Sequence, residues 1–245
     1  AFLILRALLT GKEKYCLRLS EIRFDKKKAV GILQIGIPSA FQYSLFAFAN
    51  LFVQSSVNSF DHILVEGNSA AANADPLVYD MMAAFYTACS SFIAQNFGAR
   101  KKKRILQTYL ICLFYSFITS LVLGVGIYLA RYPFLYLFTS DKAVVEAGIT
   151  RLSIMALSYS ASAFMDASIA ASRGLGKTAV PTFVVVMGSC VFRIIWIYTI
   201  FAYFHTIQSL YILYVFSWGI TAIAENIYFF HVYRHTLTGK TESHL

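Results

Sequence analysis

The chain has 245 residues, 58% of them hydrophobic and 13% charged, with 22 Phe, 16 Tyr and a net charge of +9. A soluble domain of this size carries about twice that charged fraction. Apolar runs of about 20 residues, enough to cross a bilayer, recur along the sequence, which excludes an ordinary soluble domain and predicts an all-α integral membrane protein.

In chain order, "AFLILRALLT" (1–10) is too short to span and its Arg6 does not suit a signal-peptide core. It reads as the tail of a transmembrane helix that begins upstream. Residues 11–29 follow as a basic linker, in which Tyr15, Leu19 and Ile22 stand at helical spacing. That pattern fits either a short helix on the inner membrane surface or a solvated connector. Six apolar segments come next, at 30–58, 72–97, 105–130, 144–172, 178–203 and 208–233, and make residues 30–236 a six-helix transmembrane bundle. Residues 237–245 form a polar tail. The four cysteines (Cys16, Cys89, Cys112 and Cys190) show no CxxC or Cys/His spacing. They read as small buried hydrophobes, with neither a metal site nor a disulfide framework indicated.

The basic excess is arranged by loop. Residues 11–28 hold seven Lys/Arg, the turn "GARKKKR" (98–104) holds five, and "SRGLGKT" (172–178) and the tail after 233 hold two each. The alternate connections (59–71, 131–143 and 204–207) hold only Arg131 and Lys142, beside Asp61, Glu66 and Asp141. The positive-inside rule then places the basic loops and the C-terminus in the cytoplasm of a multi-pass plasma-membrane protein. Nucleic acid is not expected as a partner, because six spans forbid gathering these charges on one face.

The Gly-Leu-Gly-Lys-Thr stretch (174–178) resembles the end of a phosphate-binding loop, but Ala171 stands where that pattern needs its first glycine. Its flanks are apolar helices with no strand before it. It reads as a tight cytoplasmic turn, with Arg173 and Lys177 serving the charge bias and Pro181 in the first turn of the next helix.

Polar side chains at membrane depth are costly and tend to mark a pathway. On the first span Asn50, Gln54 and Asn58 follow at i, i+4, with Gln42 two turns earlier on nearly the same face, and Pro38 beside Gly36 permits a kink. They either line a cavity or bond neighbouring helices. On the second span Asp80, Thr87, Ser91 and Gln95 form one stripe, with Asp80 a candidate ion or substrate group, or simply hydrated near the outer end. The fourth span carries Ser158, Ser162 and Asp166 at i, i+4, i+8, with Tyr159 alongside, within "SASAFMDASIAAS". A carboxyl there needs a proton, a cation or an Arg. Arg193 lies mid-depth on the fifth span and needs either a carboxylate, with Asp166 the candidate, or backbone carbonyls. Helix rise places Arg193 about 22 Å and Asp166 about 9 Å from the inner ends of their spans, so a direct pair needs a long reach. Glu225 on the last span is a weaker candidate, and His231 with His235 reads as an interfacial pair. No catalytic constellation or cofactor site stands out.

"IGIPSAFQYSLFAFANLFVQSSVNSF", "AANADPLVYDMMAAFYTACSSFIAQNFGARKKKR", "SRGLGKTAVPTF" and "GSCVFRIIWIYTIF" resemble the C-terminal lobe of MATE (multidrug and toxic compound extrusion) transporters. "QNFGA" before a basic turn and "RGLGKTxxP" between spans are the more specific pieces. The resemblance implies one lobe of a twelve-helix protein, its partner an N-terminal six-helix lobe, exporting small organic cations against inward H⁺ or Na⁺ by rocking of the lobes. Some branches of the family carry a coupling Glu on the first helix of this lobe, where Phe46 stands here. Others carry an acid on the fourth helix, one turn from Asp166, and a further branch places it in the other lobe. A lipid-linked precursor flippase of the same superfamily, or a membrane scaffold without transport, are the alternatives. Asp166 and Asp80 are thus the candidate ion-coupling groups. Gln42, Asn50, Gln54, Asn58, Tyr159 and Ser162 are the candidate cavity lining, and Arg193 is a structural or pairing residue.

Overall fold

In hydrocarbon every peptide group has to hydrogen-bond within its own segment, so the apolar runs can only be helices. A computed structural model describes residues 6, 9 and 23–236, and every regular element among them is helical. In chain order these are α1 (Lys26–Val57), α2 (His62–Ala72), α3 (Ala74–Gly98), α4 (Lys102–Leu129), α5 (Arg131–Tyr136), α6 (Lys142–Gly174), α7 (Ala179–Phe204) and α8 (Ile207–His235). With α2 and α3 taken together, six of them are long and apolar enough to cross a membrane. Apart from Arg6 and Leu9, the helix tail expected at 1–10 lies outside the described residues, as do residues 11–22 of the linker and the tail 237–245.

Residues up to Ile37 and residues from Pro38 onward form two units. The described part of the first is the opening of α1. There Asp25 Oδ1 accepts from the Lys27 and Lys28 N–H groups at 2.9 and 3.2 Å, satisfying two donors that a helix start leaves free. Phe24, Ile32, Leu33 and Ile37 are exposed. The second unit holds α1 from Pro38 and all of α2–α8.

Within the second unit α6 is the central helix. Its apolar stretch is 67% buried, more than that of any other span, and it packs against α2, α3, α4, α5 and α8. The small residues of "SASAFMDASIAAS" explain this: Ser162, Ala163, Ala167, Ser168, Ala170 and Ala171 are all buried, letting backbones approach where lipid gives no hydrophobic drive. Glycines on the facing helices do the same. A Cβ on Gly124 of α4 would lie 2.1 Å from the Ala156 carbonyl oxygen, and one on Gly67 of α2 would lie 2.8 Å from that of Val144. A polar clasp ties α4, α6 and α8, where the buried Tyr109 hydroxyl donates to Asn226 Oδ1 at 2.6 Å and lies 3.0 Å from Ser168 Oγ. On the outer faces Leu51, Phe92, Phe114, Val122 and Ile223 stay exposed, as expected of side chains whose solvent is lipid.

The structure differs from the sequence reading in the connections. Residues 59–71 and 131–143 contain the helices α2 and α5. Two of the acids in these stretches are helix caps, Asp61 of α2 and Asp141 of α6: Asp61 Oδ1 accepts from Leu64 N–H at 2.9 Å and Asp141 Oδ1 from Ala143 N–H at 2.7 Å. The break between α2 and α3 falls at Asn73, whose Nδ2 donates to the Ser69 and Ala70 carbonyls, both at 3.1 Å. Pro76, lacking an N–H, suits the first turn of the helix that restarts there. α7 includes two π-helical stretches, Val186–Val191 and Ile197–Phe201, and ends at His205 in the left-handed region (φ 48°).

The Gly-Leu-Gly-Lys-Thr turn closes α6 with a Schellman motif. Gly176 takes φ +74°, its N–H donates to Arg173 O at 2.8 Å, and the Lys177 N–H donates to Ser172 O at 3.0 Å. Gly174 serves packing instead: a Cβ there would meet Ser90 O at 2.7 Å.

Gly124→Ala should destabilise the protein by about 1–3 kcal/mol, the usual cost of overpacking against backbone that cannot yield. Gly126→Ala, with nothing within 4 Å of the added methyl, should leave it unchanged. Melting temperatures of the two variants in detergent separate these outcomes.

Candidate functional site

Between α1, α2, α3, α6, α7 and α8 lies a cavity of about 490 Å³, in the size range of small-molecule sites. The polar face of α1 forms one wall: Gln42, Asn50 and Gln54 line it. Asn58 lies outside it, and its Oδ1 accepts from Gln54 Nε2 at 2.9 Å. The two readings of this amide stripe hold together, because cavity-facing amides also bond neighbouring helices.

At the end of the cavity nearer the acidic connections, the sequence reading missed a network. Arg151 of α6 is 6% exposed. Its Nη2 pairs with Asp75 Oδ2 at 2.5 Å, and its Nη1 donates to Asn68 Oδ1 at 2.7 Å. The Tyr159 hydroxyl donates to Asp75 Oδ1, and the guanidinium lies over the Tyr211 ring, 5.7 Å from its centroid. Asn68, Asp75 and Arg151 line the cavity, whereas Tyr159 and Ser162 stand behind its wall. Ser162 Oγ donates to the Tyr159 carbonyl at 2.8 Å. Arg151 lies within the fourth apolar segment, so the rule that singled out Arg193 would have found it.

Midway, Arg193 is fully buried. It sits between the Phe46 and Tyr214 rings, 4.6 and 4.5 Å from their centroids, a double cation–π contact. Its Nη1 donates to Asn50 Oδ1 at 2.7 Å and its Nε to Ser217 Oγ at 3.3 Å. Nη2 has no hydrogen-bond partner among the described residues. Its partners are therefore amide, hydroxyl and aromatic rings, with neither Asp166 nor helix-end carbonyls among them. Phe46, at the position where some family branches carry an acid, here carries an arginine on its ring.

At the end nearer the Gly-Leu-Gly-Lys-Thr turn, Arg173 lines the cavity together with Asp166. Arg173 Nη2 donates to Gln42 Oε1 at 2.9 Å, and that oxygen also accepts from Thr182 Oγ1 at 3.3 Å. Arg173 thus belongs to the cavity, where the sequence reading gave it only a topological charge. The Asp166 carboxylate is the recipient of no hydrogen bond among the described residues. Asp80 is exposed and outside the cavity lining.

The remaining wall is aromatic. Tyr79, Tyr214 and Trp218 line it, with Tyr79 and Trp218 edge-to-face at 6.0 Å and Tyr214 5.4 Å from Trp218. Trp218 Nε1 is buried without a partner among the described residues. Glu225 of α8, outside the cavity lining, is fully buried, and neither of its carboxyl oxygens has a hydrogen-bond partner among the described residues.

Comparison with known proteins accords with this architecture. The MatE family profile matches residues 38–199. Curated protein sequences gave no match. The chain is similar to a MATE crystal structure in the straight conformation (TM-score 0.86, 18% identity). It is also similar to an outward-facing multidrug resistance MATE family transporter of the MOP superfamily (0.85, 19%) and to a MOP superfamily transporter from Pyrococcus furiosus (0.85, 18%). Each match covers 96% of this chain and 53% of the other, so the chain spans about half the length of the structures it resembles. By the family match and by its six-span fold, the chain belongs to the MatE family and has the architecture of about half of a MATE membrane transporter.

Proposed function

We propose that this chain is the C-terminal lobe of a secondary active antiporter. It exports organic cations, drugs or toxic metabolites by alternating access against inward H⁺ or Na⁺, in the plasma membrane with its C-terminus cytoplasmic. The observation that carries the reading is the pairing, in one cavity, of the Tyr79–Tyr214–Trp218 wall with an Asp166 carboxylate that nothing else occupies. Flat cationic molecules gain from stacking and cation–π contact on such a wall, and the carboxylate supplies the opposite charge. The unpartnered Trp218 N–H adds a donor for a polar substituent. Asn50 and Gln54 line the same space, which favours a solvated pathway over a scaffold role for the stripe. An N-terminal six-helix lobe closes the other side of the cavity, and Asp80, outside the lining, is set aside as the coupling group.

One observation favours a second reading. Arg151 and Arg173 both line the cavity, so it holds more positive charge than Arg193 alone suggested. The Pyrococcus furiosus relative is described as having a binding pocket of reversed polarity that suggests a different function. An anionic or lipid-linked precursor would use those guanidinium groups. Against it, Arg151 is neutralised by Asp75 at 2.5 Å and Arg173 is already held by Gln42 at 2.9 Å.

Two measurements on the full-length protein test the proposal. Ethidium efflux from cells carrying Asp166→Asn should fall to the level of cells without the transporter, and undiminished efflux would remove Asp166 from coupling. Trp218→Ala should raise the KM for ethidium by about 5–150-fold, the range for losing about 1–3 kcal/mol of aromatic stacking. An unchanged KM for ethidium beside a raised one for an anionic lipid substrate would support the second reading.

A further inference from the structure

Arg193 carries a buried charge that, among the described residues, no carboxylate pairs. It is fully buried and stands behind the cavity lining, whereas Phe46 and Tyr214, the rings it lies between, line the cavity itself. Its guanidinium carbon is 4.6 Å from the Phe46 centroid and 4.5 Å from that of Tyr214. Its hydrogen bonds go to Asn50 at 2.7 Å and Ser217 at 3.3 Å, both neutral, and Nη2 has no partner among the described residues. A guanidinium keeps its charge in any protein setting, so both rings carry a fixed positive charge on one side. Tyr211 differs. It also lines the cavity beside an arginine, Arg151 at 5.7 Å, but Asp75 neutralises that arginine at 2.5 Å. Among the described residues, no cation lies over the rings of Tyr79 or Trp218.

A bare aromatic face attracts a cation by about 2–30-fold in affinity, most where water is excluded. A positive group touching Phe46 or Tyr214 on its cavity side lies about 8 Å from the guanidinium behind the ring. At that distance two unit charges repel by about 30-fold in affinity, for an effective dielectric of about 20. The repulsion cancels the pull of the ring, while flat stacking, which needs no charge, is kept.

We propose that Arg193 sets the charge selectivity of the cavity, acting through Phe46 and Tyr214. The inference rests on the reading of the cavity as an organic-cation pathway. Along these two rings the cavity holds flat neutral groups and offers nothing to positive ones. The positive end of a substrate is left with Tyr79, Trp218 and the Asp166 carboxylate, which line the same space. A monocation with a neutral flat portion satisfies both regions. A dication that carries its second charge over Phe46 and Tyr214 gives up the hydration of that charge and gains nothing for it. The substrate class is thus the asymmetric monocation, and Arg193 is a specificity-determining residue that acts without touching the substrate.

Ethidium and propidium test this, because they share one phenanthridinium ring system and propidium adds a quaternary ammonium on its side arm. Fluorescence titration of the full-length protein in nanodiscs gives a Kd for each dye, and the ratio of the two is the readout. The wild type should bind ethidium about 10-fold tighter than propidium. Arg193→Gln should bring the two to within about 3-fold, and Arg193→Lys, which keeps the charge, should hold the preference. Phe46→Leu leaves the arginine in place with less ring to shield it, so it should hold or widen the preference. Weakening of both dyes by one factor in Arg193→Gln is the mark of a structural role alone and overturns the proposal. If Arg193→Gln does not fold, a narrowed ratio in Phe46→Leu overturns it instead. A wild type that binds ethidium and propidium equally overturns this proposal and leaves the cation pathway standing, whereas one that binds neither dye overturns both.

Discussion

An arginine inside a membrane-spanning helix is tolerable only where the protein supplies what water would have supplied, because an uncompensated charge in hydrocarbon costs several kcal/mol or more. Arg151, Arg173 and Arg193 meet that condition in three ways. Arg151 has a full counter-charge in Asp75 at 2.5 Å. Arg193 has neutral partners, an amide oxygen at 2.7 Å and two aromatic faces. Arg173 has an amide oxygen at 2.9 Å and lines the cavity together with the Asp166 carboxyl. Arg151 and Arg173 line the cavity, and Arg193 holds its α1 wall to α7 through Asn50.

The contrast among them separates scaffold from machinery. The Arg151–Asp75–Asn68–Tyr159 cluster is closed, with both Asp75 oxygens engaged. Breaking a closed buried pair is strongly destabilising while replacing it whole is often neutral, so this cluster fits a tie between α2, α3 and α6. Arg193 likewise binds α7 to α1 and α8. Near Arg173 the Asp166 carboxylate lines the cavity and accepts no hydrogen bond among the described residues, so a proton can arrive or leave there without dismantling the packing. The tight backbone contacts along α6, at Gly67, Gly124 and Gly174, hold α2, α4 and α3 close against it.

Much of this was legible in the sequence. Period and length gave the six spans, and the i, i+4 amides of α1 together with Asp166 pointed at the cavity wall. The small residues around Asp166 let neighbouring helices approach closely, and α6 is the span on which they do so. The helix α2 was missed because Asp61 looks like a loop residue, when a capping acid in fact marks where a helix begins; α5, with six residues, is too short to show a helical period. Asp75 was hidden beside Pro76 at a helix start. Arg173 was hidden by its motif, since a basic residue next to a turn satisfies the topological rule wherever its side chain points. Which face of α3 meets the cavity depends on tertiary packing, and Asp80 falls on the face that does not.

The central claim is that the polar face of α1 borders water and the rest of the helix borders lipid. The most direct test is labelling in membranes by a charged, membrane-impermeant thiol reagent, with the native cysteines replaced by serine in the full-length protein. A cysteine at Gln54, which lines the cavity, should react readily, and one at Phe52, an exposed apolar position on the same helix, should not. Equal protection of both positions, or reaction at Phe52 alone, would contradict the account.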